Sequence, residues 1–116
     1  MEATKQVLMK TQVGLRFIAM MAIYAKGDME RLRQYIAEYY TDDALASKSV
    51  EERLAEFEVA HEQVGRFRVQ QLMGLSDYQA IIITETEKGG GFYMHQMQVE
   101  EEYPHKVIEY ILRPVG

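Results

Sequence analysis

The hydrophobic period of this chain changes once. Up to Gly65 apolar residues recur every three or four positions, and after it they alternate. A chain divided in this way is expected to gather its helices on one side of an antiparallel sheet, an α+β arrangement, rather than to alternate helix and strand. Its 116 residues suffice for one domain with a real core and are too few for two. The expectation is a single domain over residues 1–116, with helices over about 4–64 and sheet over about 65–114. Three N-terminal helices would pack on one face of a four-stranded meander.

The helical half is punctuated by caps. From Thr4 to Lys26, Leu8, Leu15, Ile18, Ala22 and Ala25 fall at helical spacing, and Phe17, Met20, Met21 and Tyr24 widen the stripe. Gly14 is a point where this helix bends or starts. Lys26-Gly27-Asp28 reads as a stop and restart, Gly27 closing one helix and Asp28 capping the next. That second helix, from Met29 to about Tyr40, carries Leu32, Tyr35, Ile36 and Tyr39 on one face. Thr41-Asp42-Asp43 then breaks the chain into a short turn bearing Ala44 and Leu45. Ser49 and Glu52 have the spacing of a capping box, in which each side chain satisfies the other's free amide. The third helix buries Leu54, Phe57 and His61.

In the strand half, Phe67, Val69, Gln71, Met73 and Leu75 alternate with Arg66, Arg68 and Gln70. Tyr78–Glu87, Phe92–Glu101 and His105–Arg113 follow, joined by a Lys88-Gly89-Gly90-Gly91 turn and a Tyr103-Pro104 turn. These short connections imply antiparallel neighbours. The second strand has Ile81 and Ile83 on one face and Tyr78, Ala80 and Ile82 on the other. The fourth sets Val107 and Ile111 against Ile108, Tyr110 and Leu112. A sheet solvated on one side alternates more cleanly than this. Helices cover one face only, so a second copy of the chain is expected over part of the other, with Ile82, Val107 and Ile111 at the contact.

Composition narrows the function. The net charge of −5 places any nucleic-acid-binding patch against an acidic background, and none is expected. The absence of cysteine removes disulfides, thiolate metal sites and cysteine nucleophiles. The longest apolar run, Phe17–Ala25, is nine residues, half of a bilayer span, and the start Met1-Glu2-Ala3 lacks the basic opening of a secretory signal. No membrane partner is expected, and the chain reads as cytoplasmic.

Two stretches carry a family resemblance. One runs from Gly27-Asp28-Met29-Glu30-Arg31-Leu32 through Tyr39-Tyr40-Thr41-Asp42-Asp43-Ala44-Leu45 to Ser49-Val50-Glu51-Glu52-Arg53. The other joins Gly89-Gly90-Gly91-Phe92, the alternating strand to Val99-Glu100, and Pro104-His105-Lys106-Val107. Together they resemble the small domain that precedes serine hydrolase domains of the β-lactamase-like and tail-peptidase-like kinds in bacteria. That domain is similar to the NTF2-like (SnoaL-like, cystatin-like) α+β class. The resemblance implies a conical pocket between helices and sheet, suited to small apolar ligands, and a hydrolase as a separately encoded partner. It does not bring hydrolase chemistry to these residues. Neither a Ser-x-x-Lys after Ser47, Ser49 or Ser76 nor a Gly-x-Ser-x-Gly elbow occurs in them.

The remaining candidates are few. His61, His95 and His105 lack paired metal-ligand spacing, and no metal or cofactor is expected. His95 is in register with Tyr93, Met97 and Val99, inside the helix–sheet cavity or on the dimer face. It is either a hydrogen-bonded member of a packed layer or a general base, with Tyr24, Tyr39, Tyr93 or Tyr110 as the donor to an oxyanion. Met97, with Met20, Met21 and Met94, suggests an adaptable apolar lining. Gly89-Gly90-Gly91 lacks the helix and Lys-Ser/Thr of a phosphate loop. Arg66 and Arg68 are placed to pair with Glu85 or Glu87 across the neighbouring strand. Two readings follow. One is a non-catalytic, homodimeric interaction or accessory domain. The alternative is a small apolar ligand binder, or an isomerase- or cyclase-type enzyme, using the cavity.

Overall fold

The structure, a computed structural model, describes residues 2–115, with side chains from Thr4 onward. Five helices precede the sheet: α1 (Glu2–Leu8), α2 (Gln12–Ala25), α3 (Met29–Tyr39), α4 (Asp42–Ser47) and α5 (Val50–Val64). Two more than expected arise from two threonines that restart a helix at once. Thr11 Oγ1 donates to the Leu8 carbonyl at 3.0 Å, closing α1, and accepts from Gly14 N at 2.9 Å, opening α2. Thr41 Oγ1 accepts from Ala44 N at 3.1 Å, which makes α4 of the expected turn.

The other punctuation is as read. Gly27 has φ of +70°, and Asp28 Oδ1 accepts from Arg31 N at 3.1 Å. A Cβ on Gly27 would also press on the His61 ring, 3.2 Å away, so the position needs glycine for conformation and for space. Ser49 and Glu52 form both halves of the capping box, at 3.2 and 3.0 Å. The hydrogen bonds from Ser49 hold the Glu52 carboxyl below its ordinary range.

The sheet is an antiparallel meander in the order β1 (Phe67–Leu75), β2 (Gln79–Thr86), β3 (Phe92–Val99) and β4 (Val107–Val115). Its inner face packs on the helices through Leu72, Ala80, Ile82, Met97, Val99 and Val107, against Leu8, Phe17, Met20, Tyr24, Leu32, Ile36, Leu54 and Phe57. Three register shifts decide which residues face inward: between Val69 and Gln71, between Leu72 and Gly74, and between Gln98 and Val99. Each inserts a residue and reverses the alternation beyond it. Leu72 therefore lies opposite buried Ile82, while Met73, expected in line with Phe67 and Val69, is 61% exposed. In β4 the shift lets Val107 and Tyr110 both enter the core.

This corrects the expected contact between copies. Ile82 and Val107 are completely buried under the helices, and the Val107 carbonyl accepts from Thr41 N at 2.9 Å. Ile111, opposite Gln96 on the outer face, remains partly exposed. No helix among the described residues is long and apolar enough to cross a membrane.

Candidate functional site

Three neighbouring strands place one polar group each on the inner face: Thr84 on β2, His95 on β3 and Tyr110 on β4. His95 lies opposite Ile82 and Leu112, so Thr84 and Tyr110 reach it diagonally. Its Nε2 is 2.8 Å from Thr84 Oγ1 and its Nδ1 is 2.7 Å from the Tyr110 hydroxyl. The imidazole has no exposed surface. The edges of Phe17 and Phe67 close on it at centroid distances of 5.1 and 4.9 Å, and Phe57 stacks on Tyr110 at 5.6 Å.

This environment sets the protonation states. Burial lowers the His95 pKa to about 3 and raises that of Tyr110 well above its ordinary value. His95 is therefore a neutral imidazole near pH 7, with both nitrogens hydrogen-bonded. A general base works best with a pKa near the operating pH and within reach of substrate. His95 is built as the layer residue of the two expected readings.

The tyrosines named with it divide. The Tyr24 hydroxyl donates to the Gly65 carbonyl at 2.6 Å, its ring stacks on Phe67 at 5.0 Å, and its ionisation is suppressed mainly by burial. Tyr93 is half-buried with its ring 5.1 Å from Phe67, and Met97 is buried opposite Tyr110. Tyr39 lies apart from His95, beneath the Arg16 guanidinium at 3.9 Å. Arg16 also donates to the Pro104 and His105 carbonyls, tying the β3–β4 connection to α2. The structure thus joins His95 to Tyr110, places Tyr24 and Tyr93 one ring away, and gives Tyr39 a separate role.

The open space lies beside this layer. A cleft of ≈ 700 Å³ runs between α2 and the β1–β2 edge. Phe17, Ile18, Met21 and Ala25 form one wall, Phe67 and Val69 the other, with Thr84 and Thr86 between them. The mouth carries Lys5, Arg66, Arg68, Glu85 and Glu87. Arg66 pairs with Glu87 at 2.7 Å and Arg68 with Glu85, the cross-strand pairing read from sequence. The Arg66 partner holds the Glu87 carboxyl below its usual range. A second groove, ≈ 490 Å³, lies between α2 and α3, rimmed by Lys26, Asp28, Arg31 and Glu38.

Thr84 is not among the residues singled out from the sequence, and the structure alone places the open space beside α2 and the β1–β2 edge. The available signal was Thr84 and Thr86 breaking the apolar run in register with Ile82, which marks a polar element within an otherwise apolar inner row. Of the methionines, Met21 lines the cleft, Met20 and Met97 fill the core, and Met94 is on the outer sheet face. Among the described residues, no group of three or more His, Asp or Glu is gathered so as to hold a metal ion. No protein-family model, curated protein or solved structure matches the chain, so its function has to be argued from the cleft and the hydrogen-bonded chain beneath it.

Proposed function

We propose that this chain is a non-catalytic domain of the NTF2-like class that binds a small apolar molecule in the cleft between α2 and the β1–β2 edge. The observation that carries the reading is the ≈ 700 Å³ volume walled by Phe17, Ile18, Met21, Phe67 and Val69, whose charged margin is paired as Arg66–Glu87 and Arg68–Glu85. Sites for small molecules have this size and lining. The helices gathered on one face of the meander support the NTF2-like assignment, and the neutral, fully bonded His95 supports the non-catalytic one. Nile red, a neutral dye that brightens in apolar surroundings, is expected to bind the wild-type protein. Met21→Trp fills the cleft from a half-buried position and should weaken that binding about tenfold, with thermal unfolding little changed. Equal dye affinity in the two proteins would reject the cleft as the site.

A second reading concerns assembly and is carried by the outer sheet face. Ile81, Ile83, Met94 and Ile111 are only partly exposed there, and Phe92 is 42% exposed at its margin. A homodimer joined through this face is proposed. Sedimentation should then give twice the chain mass, and Ile83→Asp should give folded monomers. An unchanged sedimentation coefficient in that variant would count against the contact.

A further inference from the structure

The β1–β2 turn and the β3–β4 connection bring together three rings that neither cleft uses. The His105 ring stacks with Tyr78 at a centroid distance of 5.9 Å and stands edge-on to Tyr103 at 6.1 Å. Tyr103 is 89% exposed, more than any other large apolar or aromatic side chain described. The connection that presents it is held from several sides. His105 N donates to the Glu102 carbonyl at 2.7 Å and Glu100 N to the Lys106 carbonyl at 2.9 Å. His105 Nδ1 donates to the Glu100 carbonyl at 3.0 Å, and Arg16 anchors the Pro104 and His105 carbonyls from α2. An aromatic ring fixed in the open loses little freedom when a partner covers it.

The charge around these rings is negative. Partial burial first, and then the carboxylates of Asp77, Glu101 and Glu102, push the Tyr78 hydroxyl above its ordinary pKa, so all three lie within its field. Glu101 and Glu102 are exposed, and neither is in an ion pair among the described residues. Lys106 and the Arg16 guanidinium, which is stacked on Tyr39, are the cations of the same neighbourhood, two against four carboxylates with Glu100 counted. Open ring faces beside unpaired carboxylates attract a cation twice over, through the π-system and through charge. We propose that this surface docks an arginine side chain of a basic protein partner, its guanidinium stacked on Tyr103 and paired with Glu101 or Glu102. Arginine fits better than lysine, because a planar guanidinium stacks on a ring and presents a fork to a carboxylate. A partner's side chain fits better than a small free cation, because the rings form an open surface and enclose no volume. The net charge of −5 favours approach of a basic partner from a distance.

The test titrates the full chain at low ionic strength with a capped Gly-Arg-Gly-Arg-Gly peptide and its lysine counterpart of equal charge, read by proton NMR of the tyrosine and histidine rings. The arginine peptide is expected to shift the Tyr103, Tyr78 and His105 ring signals saturably and to bind more tightly than the lysine peptide. Tyr103→Leu, which keeps apolar bulk without a π-face, should weaken the arginine peptide about fivefold, and Tyr103→Phe should restore it. Glu101→Gln combined with Glu102→Gln should weaken it by a similar factor. Equal affinity for the two peptides would reduce the surface to net charge and overturn the proposal. So would equal affinity of wild type and Tyr103→Leu for the arginine peptide, or ring signals that stay in place in the wild-type protein. The rings share no residue with the cleft, so this test and that of the cleft fail separately.

Discussion

Replacement of His95 by alanine will destabilise the domain by about 3–5 kcal/mol, measured by urea unfolding at pH 7. The change empties a volume enclosed by Phe17 and Phe67 and strands two polar groups, Thr84 and Tyr110, whose sole side-chain partner among the described residues is His95. Glutamine retains a donor and an acceptor on a comparable reach and will cost less. It also exposes a pH dependence. His95 has a folded pKa of about 3 against an ordinary 6.5, so the unfolded state binds the extra proton. Its contribution is complete above pH 6.5 and is lost as pH falls toward 3. The loss approaches about 1.4 kcal/mol per pH unit once the unfolded histidine is mostly protonated. The lowered carboxyls of Glu52 and Glu87 also withdraw stability in acid, but they do so equally in His95→Gln and cancel in the comparison. The stability difference between the two proteins should therefore shrink from pH 6.5 downward. Parallel curves would show that His95 titrates alike in the folded and unfolded states.

The second large effect is expected at Gly14. A Cβ there would fall within the backbone carbonyl of Leu8 and against Thr11 Oγ1, and backbone cannot yield as a side-chain tip can. Gly14→Val should push α1 off α2 and release Leu8, which is completely buried. Losing that side chain from the core and the Thr11 cap with it costs about 2–4 kcal/mol. The start of α2 is held independently of α1, because Val13 N donates to the Asp77 carbonyl at 3.0 Å and Gln12 N to Asp77 Oδ1 at 3.2 Å. Hydrogen exchange should consequently rise in α1 first and leave the sheet protected. A variant with unchanged stability and unchanged α1 protection would contradict the close approach.

What could be read from the sequence was local. The helix restart at Gly27-Asp28, the Ser49–Glu52 box and the Gly89-Gly90 turn are each specified by adjacent residues, and each stands where its residues place it. Thr11 and Thr41 are harder, because a threonine that opens a new helix looks the same in sequence as one that ends the old one. The facing of the sheet was illegible for a different reason. A bulge changes parity by one residue without leaving a mark in the alternation, so Ile82, Leu72 and Val107 could not be assigned to the core before β1 and β4 were paired with their neighbours. The site followed the same division. His95 was visible as an odd polar residue on an apolar strand. Its partners come from residues 11 and 15 positions away, through a register that only the assembled sheet provides.

The central claim is that the cleft beside the His95 layer receives a ligand, and methyl NMR during a Nile red titration tests it most directly. Ile18, Met21 and Val69, each with a methyl probe, line that cleft, whereas Ile81, Ile83 and Met94 lie on the opposite face of the sheet. The account predicts saturable shifts in the first set and none in the second. Shifts confined to Ile81, Ile83 and Met94, or absent from both sets, would contradict it.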